Sequence, residues 1–175
     1  MTSRESTFIA LYDSHYDEVH AFCARRVGWH DAGDATADTF AVVWRRIDEL
    51  PNEMTRAWVF GVARNVIRNQ WRSNGRRQRL TERLKQIHDG NHQEPEGIVV
   101  RKSVDAAVLE ALDKLRPADA EILRLAAWEE LSGPEIAAIL GISSDAAHQR
   151  ISRAKKRLAK HLEPEPTREI KEDAR

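Results

Sequence analysis

Apolar side chains recur along most of the chain at steps of three and four residues, the period of a helix with one buried face. From about Arg4 to Arg26, the residues Phe8, Leu11, Tyr12, His15, Val19, Phe22 and Cys23 share such a face, and Gly28 suits the end of the helix. A second helix is expected from about Asp31 to Ile47. Asp31 and Asp34 fall in its first turns, where the helix dipole favours carboxylates, and Ala35, Phe40, Val43 and Trp44 form its buried side. Leu50-Pro51-Asn52-Glu53 breaks the period as a loop. A third helix then starts near Thr55 with Trp58, Val59, Val62, Val66 and Ile67 facing inward. No segment alternates apolar and polar residues long enough to read as a strand, and glycine and proline number only 8 and 6, so the fold class is all-α.

Periodicity fades after Ser73 into basic and polar residues containing Asn74-Gly75, Asp89-Gly90-Asn91 and Pro95, which read as a flexible linker. It resumes with Val104, Val108, Leu109, Leu112 and Leu115, and Pro117 is placed to open a further helix carrying Ile122, Leu123 and Leu125. Two small helical domains follow: an N-terminal bundle over 4–73 and a C-terminal unit over 99–161. The linker occupies 74–98 and a charged, disordered tail 162–175.

The chain has 175 residues, enough for one or two modest cores. No apolar run approaches the roughly 20 residues of a membrane span, so no membrane insertion is expected. Met1 to Glu5 lacks the layout of a secretory signal, which points to the cytoplasm. The 28 basic and 28 acidic residues cancel overall, but they are segregated. Acids predominate up to residue 63. Arg64, Arg68, Arg72, Arg76, Arg77, Arg79, Arg83 and Lys85 then face only Glu82, and Arg150, Arg153, Lys155, Lys156, Arg157 and Lys160 form a block without an acid. Solvated helix faces normally interleave glutamates at i,i+4; two concentrated basic segments in a neutral chain point instead to two polyanion contacts.

The most legible segment is Leu131-Ser132-Gly133-Pro134-Glu135-Ile136-Ala137-Ala138-Ile139-Leu140-Gly141-Ile142-Ser143-Ser144. Ser132 and Glu135 have capping-box spacing, Ile136, Ala137 and Leu140 face inward, and Gly141 can take the positive φ of a tight turn. Ser143 or Ser144 can cap the next helix, whose Ala147, Ile151, Ala154 and Leu158 form one apolar stripe. These features define a helix-turn-helix. Its outward face offers Asp145, His148, Gln149, Ser152, Arg153 and Lys156, side chains suited to a major groove.

Three segments in order then resemble the extracytoplasmic-function (ECF) sigma factors, two-domain promoter-specificity subunits of bacterial RNA polymerase. Asp31-Ala32-Gly33-Asp34-Ala35-Thr36-Ala37-Asp38-Thr39-Phe40 is similar to the family's D-A-E-D-x-x-Q-E-T-F, Ala57-Trp58-Val59-Phe60-Gly61-Val62-Ala63-Arg64-Asn65 to its A-W-L-F-x-I-A-R-N, and the helix-turn-helix to its minus-35 reader. The resemblance implies that Asp31, Asp34, Asp38, Thr39 and Phe40 dock on core RNA polymerase. It likewise implies that Asn52, Arg64, Asn65, Arg68, Asn69 and Arg72 meet the minus-ten promoter element and help open it. Ser144, His148, Gln149, Ser152, Arg153 and Lys156 would contact the minus-35 element. Gly33 and Ala37 depart from the family's glutamate and glutamine, and His148 stands where lysine or arginine is frequent. The resemblance also implies promoter DNA and an anti-sigma factor as partners, and a linker passing near the polymerase active centre.

Other chemistry is weaker. Asp31, Asp34 and Asp38 share a helix face as metal ligands would, yet first-turn carboxylates explain them more simply, and no metal or cofactor is expected. His15, His20 and Cys23 are not on one face. Trp58 and Trp71 fall in an apolar period and are expected in the core rather than against bases. The expected activity is therefore initiation without a catalytic site. The alternative is a helix-turn-helix regulator that binds an operator without joining polymerase; co-elution with core polymerase separates the two.

Overall fold

The computed structural model describes residues 2–85 and 104–162. Seven α-helices account for most of them: α1 (Ser3–Val27), α2 (Trp29–Arg45), α3 (Thr55–Lys85), α4 (Val104–Asp113), α5 (Pro117–Ala127), α6 (Gly133–Leu140) and α7 (Ser144–Leu162), with a short 3₁₀ turn at Ile47–Glu49. The expected all-helical architecture stands, with no strand among the described residues.

Local chemistry sets the helix ends. Thr2 caps α1 reciprocally with Glu5: the Glu5 amide donates to the Thr2 hydroxyl at 3.3 Å and the Thr2 amide to the Glu5 carboxylate at 2.9 Å. Gly28, at φ 84°, ends α1 and begins α2 in one step, a conformation that costs other residues steric strain. Helix α3 continues to Lys85, past the boundary expected at Ser73, because the arginine, glutamine, leucine and glutamate residues there all favour helix and Asn74-Gly75 alone does not stop it. The remainder of the expected linker, 86–98, and the tail beyond Leu162 lie outside the described residues.

In the first half, α1, α2 and α3 pack around Val19, Phe22, Cys23, Ala35, Val43, Val59, Phe60 and Ile67. Phe22 and Phe60 meet at a ring distance of 5.2 Å. Cys23 is fully buried beside Thr36 and Thr39. Burial pushes its thiol above the ordinary range, against smaller opposing effects of the Thr36 and Thr39 hydroxyls and of Arg26 and Arg25. It is a packing group. In the second half, α4 to α7 enclose Leu112, Ile122, Leu125, Leu131 and Ile136.

The two halves are not independent. Glu129, in the turn between α5 and α6, is buried at 2% exposure, a place where a carboxylate must be paired. Arg26 of α1 donates to its Oε1 at 2.9 Å, and Arg25 reaches its Oε2. The Arg26 side chain is itself 2% exposed and stacks over the Phe22 ring at 3.5 Å. Glu121 of α5 extends the network to Arg26 and to Arg64 of α3, each at 3.5 Å. Glu130 holds the left-handed φ of 50° that turns this segment inward. Beside the network, Ile139 of α6 packs near Gly61 of α3, 4.0 Å from where a Cβ there would stand, an ordinary contact distance.

Removing one partner of a buried ion pair costs about 3–5 kcal/mol, chiefly because the other charge stays buried. Glu129→Gln is therefore expected to part the halves while leaving helix content unchanged. Small-angle scattering should show a larger radius of gyration, with an unaltered far-ultraviolet circular dichroism spectrum; an unchanged radius would show that apolar contact alone holds the halves together.

Candidate nucleic-acid interface

The helix-turn-helix is built as its residues dictate. Ser132 caps α6: its hydroxyl lies 2.7 Å from the Glu135 carboxylate, which accepts the Ser132 amide at 2.8 Å. Pro134 sits in the first turn, where its missing N–H is harmless. Gly141 ends the helix in the left-handed conformation at φ 66°. Ser143, rather than Ser144, caps α7 by accepting the Ala146 amide at 3.2 Å. Ile136, Ala147 and Ala154 are fully buried, with Leu140, Ile151 and Leu158 half-buried around them.

With that face inward, α7 turns His148, Gln149, Ser152, Lys155 and Lys156 to solvent, and Ser144 is half-exposed at its start. His148 is more constrained than its exposure suggests, since Nδ1 lies 2.9 Å from the Ser144 carbonyl oxygen. Arg153 has a different setting. It is exposed, but it lines a cleft of about 430 Å³ between the halves together with Arg64, Arg150, Arg157, Asp119 and Glu121. Arg157 pairs with Asp119 at 2.5 Å within that cleft.

Along α3, Asn65, Arg68, Asn69 and Arg72 form an exposed row. Arg64 is turned away from them, toward Glu121. Asn65 borders a cleft of about 330 Å³ with Pro51, Glu53, Met54 and Trp58, closed on one side by Ala138 and Ile139 of α6. Asn69 borders another, with Asp38, Arg45, Gln70 and Ser73. Asn52 is exposed in the loop before α3. Met54 in the same loop holds φ 59°, a strained value for a residue with a side chain. Trp58 is half-buried, near its expected place, but Trp71 is 52% exposed beside Arg68 and Arg72: the helical period that placed it inward drifts as α3 runs beyond the bundle.

On α2, Asp31 and Asp34 are exposed, and Asp38 accepts a hydrogen bond from Gln70 of α3 at 3.1 Å. Thr39 and Phe40 point inward. The Thr39 hydroxyl donates to the Ala35 carbonyl at 2.7 Å, and Phe40 lies under Tyr12 at a ring distance of 4.8 Å. Trp44 and Tyr12, expected in the core, are instead more than a third exposed, because Phe8 and Phe40 fill the interior between α1 and α2 and leave them at its edge. They belong to an aromatic row that the sequence reading missed: Phe8, Tyr12, Tyr16, His20 and Trp29 follow one another at ring distances of 5.0 to 6.2 Å, and Trp29 is 71% exposed. The recurrence of aromatic rings at 8, 12, 16 and 20 was the available signal. His15 faces Glu18 at 3.8 Å, apart from buried Cys23, and among the described residues no three metal-ligating side chains converge.

Two family models match the chain: Sigma-70 region 2 over residues 11–77 and Sigma-70, region 4 over residues 105–158. The RNA polymerase sigma factor CnrH of Cupriavidus metallidurans is 33% identical over 141 residues, which span 76% of this chain and 74% of the relative. The ECF RNA polymerase sigma factor BldN of Streptomyces coelicolor is 32% identical over 160 residues, 89% of this chain and 60% of the relative. Among solved structures, CnrH in complex with the cytosolic domain of CnrY is similar with a TM-score of 0.61 at 29% identity, covering 89% of this chain and 86% of that one. The region 2 match begins within α1 and ends within α3, the region 4 match takes in α4 to most of α7, and with relatives aligned across both the chain belongs to the sigma-70 family of RNA polymerase sigma factors, in its ECF group.

Proposed function

We propose that three separate surfaces of this polymerase-binding, promoter-directing initiation factor divide its work. Asp31 and Asp34, with the neighbouring aromatic row, dock on core RNA polymerase; exposed Asp38 ties α2 to α3 through Gln70, Phe40 packs α2 against α1, and Thr39 is buried within α2 with its hydroxyl on the Ala35 carbonyl. Asn52, Asn65, Arg68, Asn69 and Arg72 engage the minus-ten strand, and exposed Trp71 offers a stacking surface beside them. On α7, Ser144, His148, Gln149 and Ser152 address base edges of the minus-35 element while Lys156 serves phosphates. Arg64, half-buried and paired with Glu121, reaches DNA only when the halves part, whereas exposed Arg153 serves phosphates with Lys156.

The observation that carries this reading is the segregation on α7: Ala147 and Ala154 are fully buried while His148, Gln149, Ser152 and Lys156 are exposed. A helix packed on one face, with polar and cationic groups on the other, is what a major groove accepts. Strand opening has a physical counterpart in the cleft beside Asn65, which α6 covers on one side. A single strand enters it once α6 moves away. Polymerase supplies the chemistry and this chain none, acting in the cytoplasm. Its activity is held in check by an anti-sigma protein, a reading supported by the family resemblance and by the complex of the similar protein CnrH with a cytosolic domain of CnrY.

Asp34→Arg should weaken association with core polymerase at least tenfold without changing helix content, as measured by co-elution at dilute concentration. Undiminished co-elution would move docking away from α2.

Asn65→Ala combined with Asn69→Ala should leave binding to duplex promoter intact but reduce opening. Permanganate reactivity of promoter thymines reports this directly, and a pre-melted template should relieve the defect; equal opening on duplex DNA sinks the assignment.

Gln149→Ala should cost about 1–3 kcal/mol at the preferred upstream element and relax preference there, whereas Lys156→Ala should weaken all sequences alike and reduce the salt slope by about 1. Holoenzyme binding to matched and mismatched elements across a salt series distinguishes the two. Equal losses on matched and mismatched DNA for both variants would contradict the division of roles.

A further inference from the structure

We propose that Gly133 is a positioning residue for base recognition: the missing side chain there seats the imidazole of His148 so that Nε2 accepts a hydrogen bond from the amino group of an adenine or cytosine in the upstream element. The inference rests on α7 reading DNA and adds which residue sets the specificity of one position and for which base chemistry.

Gly133 opens α6, and nothing in its backbone conformation requires glycine; among the described residues the positive-φ glycines are Gly28 and Gly141. Space explains it instead. A Cβ on Gly133 would stand 2.5 Å from Cε1 and 3.0 Å from Cδ2 of His148, with Nε2 closer still. Real side chains do not meet at such distances. By contrast, a Cβ on Gly33 within α2 would meet nothing within 4 Å. Nε2 is the nearest ring atom, and both carbons bonded to it also lie within 3.0 Å of the added carbon, closer than an approach along the ring plane at Nε2 allows, so the ring lies with its face over Gly133. Its edge, and the in-plane lone pair of Nε2, are not what Gly133 covers.

The other side of the ring is fixed by hydrogen bonding. Nδ1 lies 2.9 Å from the Ser144 carbonyl oxygen, and a carbonyl can only accept, so Nδ1 carries the hydrogen. In neutral imidazole Nε2 is then the acceptor. The amino groups of adenine and cytosine are the hydrogen-bond donors in the major groove, whereas guanine presents acceptors to that groove. A lysine or arginine at this position would favour guanine or phosphate; the neutral form of a seated His148 reverses the preference. The Ser132–Glu135 capping box holds Gly133 in place against the ring. The turn from α6 to α7 therefore transmits a feature of the first helix to the reading face of the second.

The test is selection of randomised upstream elements by holoenzyme under mildly alkaline conditions, using wild type, Gly133→Ala, His148→Ala and the double variant. Wild type should prefer adenine or cytosine at one position. Gly133→Ala and His148→Ala should each reduce discrimination there about tenfold, within the range of a single good base contact. The double variant should be no worse than His148→Ala, since without the ring an alanine fits at the start of α6; this also separates loss of seating from loss of folding. If His148→Ala flattens the preference and Gly133→Ala does not, seating by Gly133 is overturned while reading by His148 survives. Unaltered selection by His148→Ala overturns both. Guanine at the affected position in wild type overturns the acceptor assignment, and an equal loss at every position with Gly133→Ala, persisting in the double variant, shows a packing role only.

Discussion

A carboxylate removed from water has to be paired, and the pairing of Glu129 with Arg25 and Arg26 fixes how the two halves of this chain meet. Arg26 cannot swing to another partner, because its guanidinium is pinned between the Phe22 ring, the Phe22 carbonyl at 3.2 Å and the two carboxylates of Glu129 and Glu121. The cluster therefore acts as a buried pivot rather than a loose surface salt bridge. With that pivot go the closure of the cleft beside Asn65 by Ala138 and Ile139 and the setting of Arg153 and Arg157 opposite Arg64.

Burial of this kind is specific and reversible in a way that an apolar seam is not. Apolar contact loses free energy in proportion to exposed area, whereas a buried pair that opens fully regains hydration on both partners. Arg25 is already 31% exposed, so water has a route to one side of the cluster. The contact between halves thus combines a small apolar interface with a polar centre, which suits surfaces that must also be available to other partners.

Legibility in the sequence followed the range of the interaction. Caps, turns and helical stripes depend on residues within four or five positions, and they were readable: Ser132 with Glu135, the left-handed Gly141, and the buried Ala147 and Ala154. Contacts made across the chain were not. Glu129 looks in sequence like a solvated loop acid, and its burial arises from arginines more than a hundred positions away. Arg64 reads as the start of a basic DNA face, yet its partner is Glu121. Periodicity told which side of a helix is apolar, and placed Phe40 inside, but not how wide the covered strip would be, so Thr39 also fell inside while Tyr12, Trp44 and Trp71 lay at or beyond the edge. The length of α3 was misjudged for a related reason, since loss of an apolar stripe ends burial without ending a helix.

The same distinction explains how a chain of zero formal charge can carry basic surfaces. Its acids are spent unevenly. Glu121, Glu129 and Asp119 pair with Arg25, Arg26, Arg64 and Arg157 in and around the junction between the halves and offset three of the four charges, where unpaired cations would repel one another at short range and low dielectric. Asp31 and Asp34 stand apart on α2, and the exposed faces of α3 and α7 retain Arg68, Arg72, Lys155, Lys156 and Lys160. Net charge averages these regions to nothing, but the field a phosphate backbone meets is set within about a Debye length, roughly 8–10 Å at ordinary salt. Local segregation, with the junction acids absorbing the inward cations, is what makes a neutral protein basic where a polyanion would touch it.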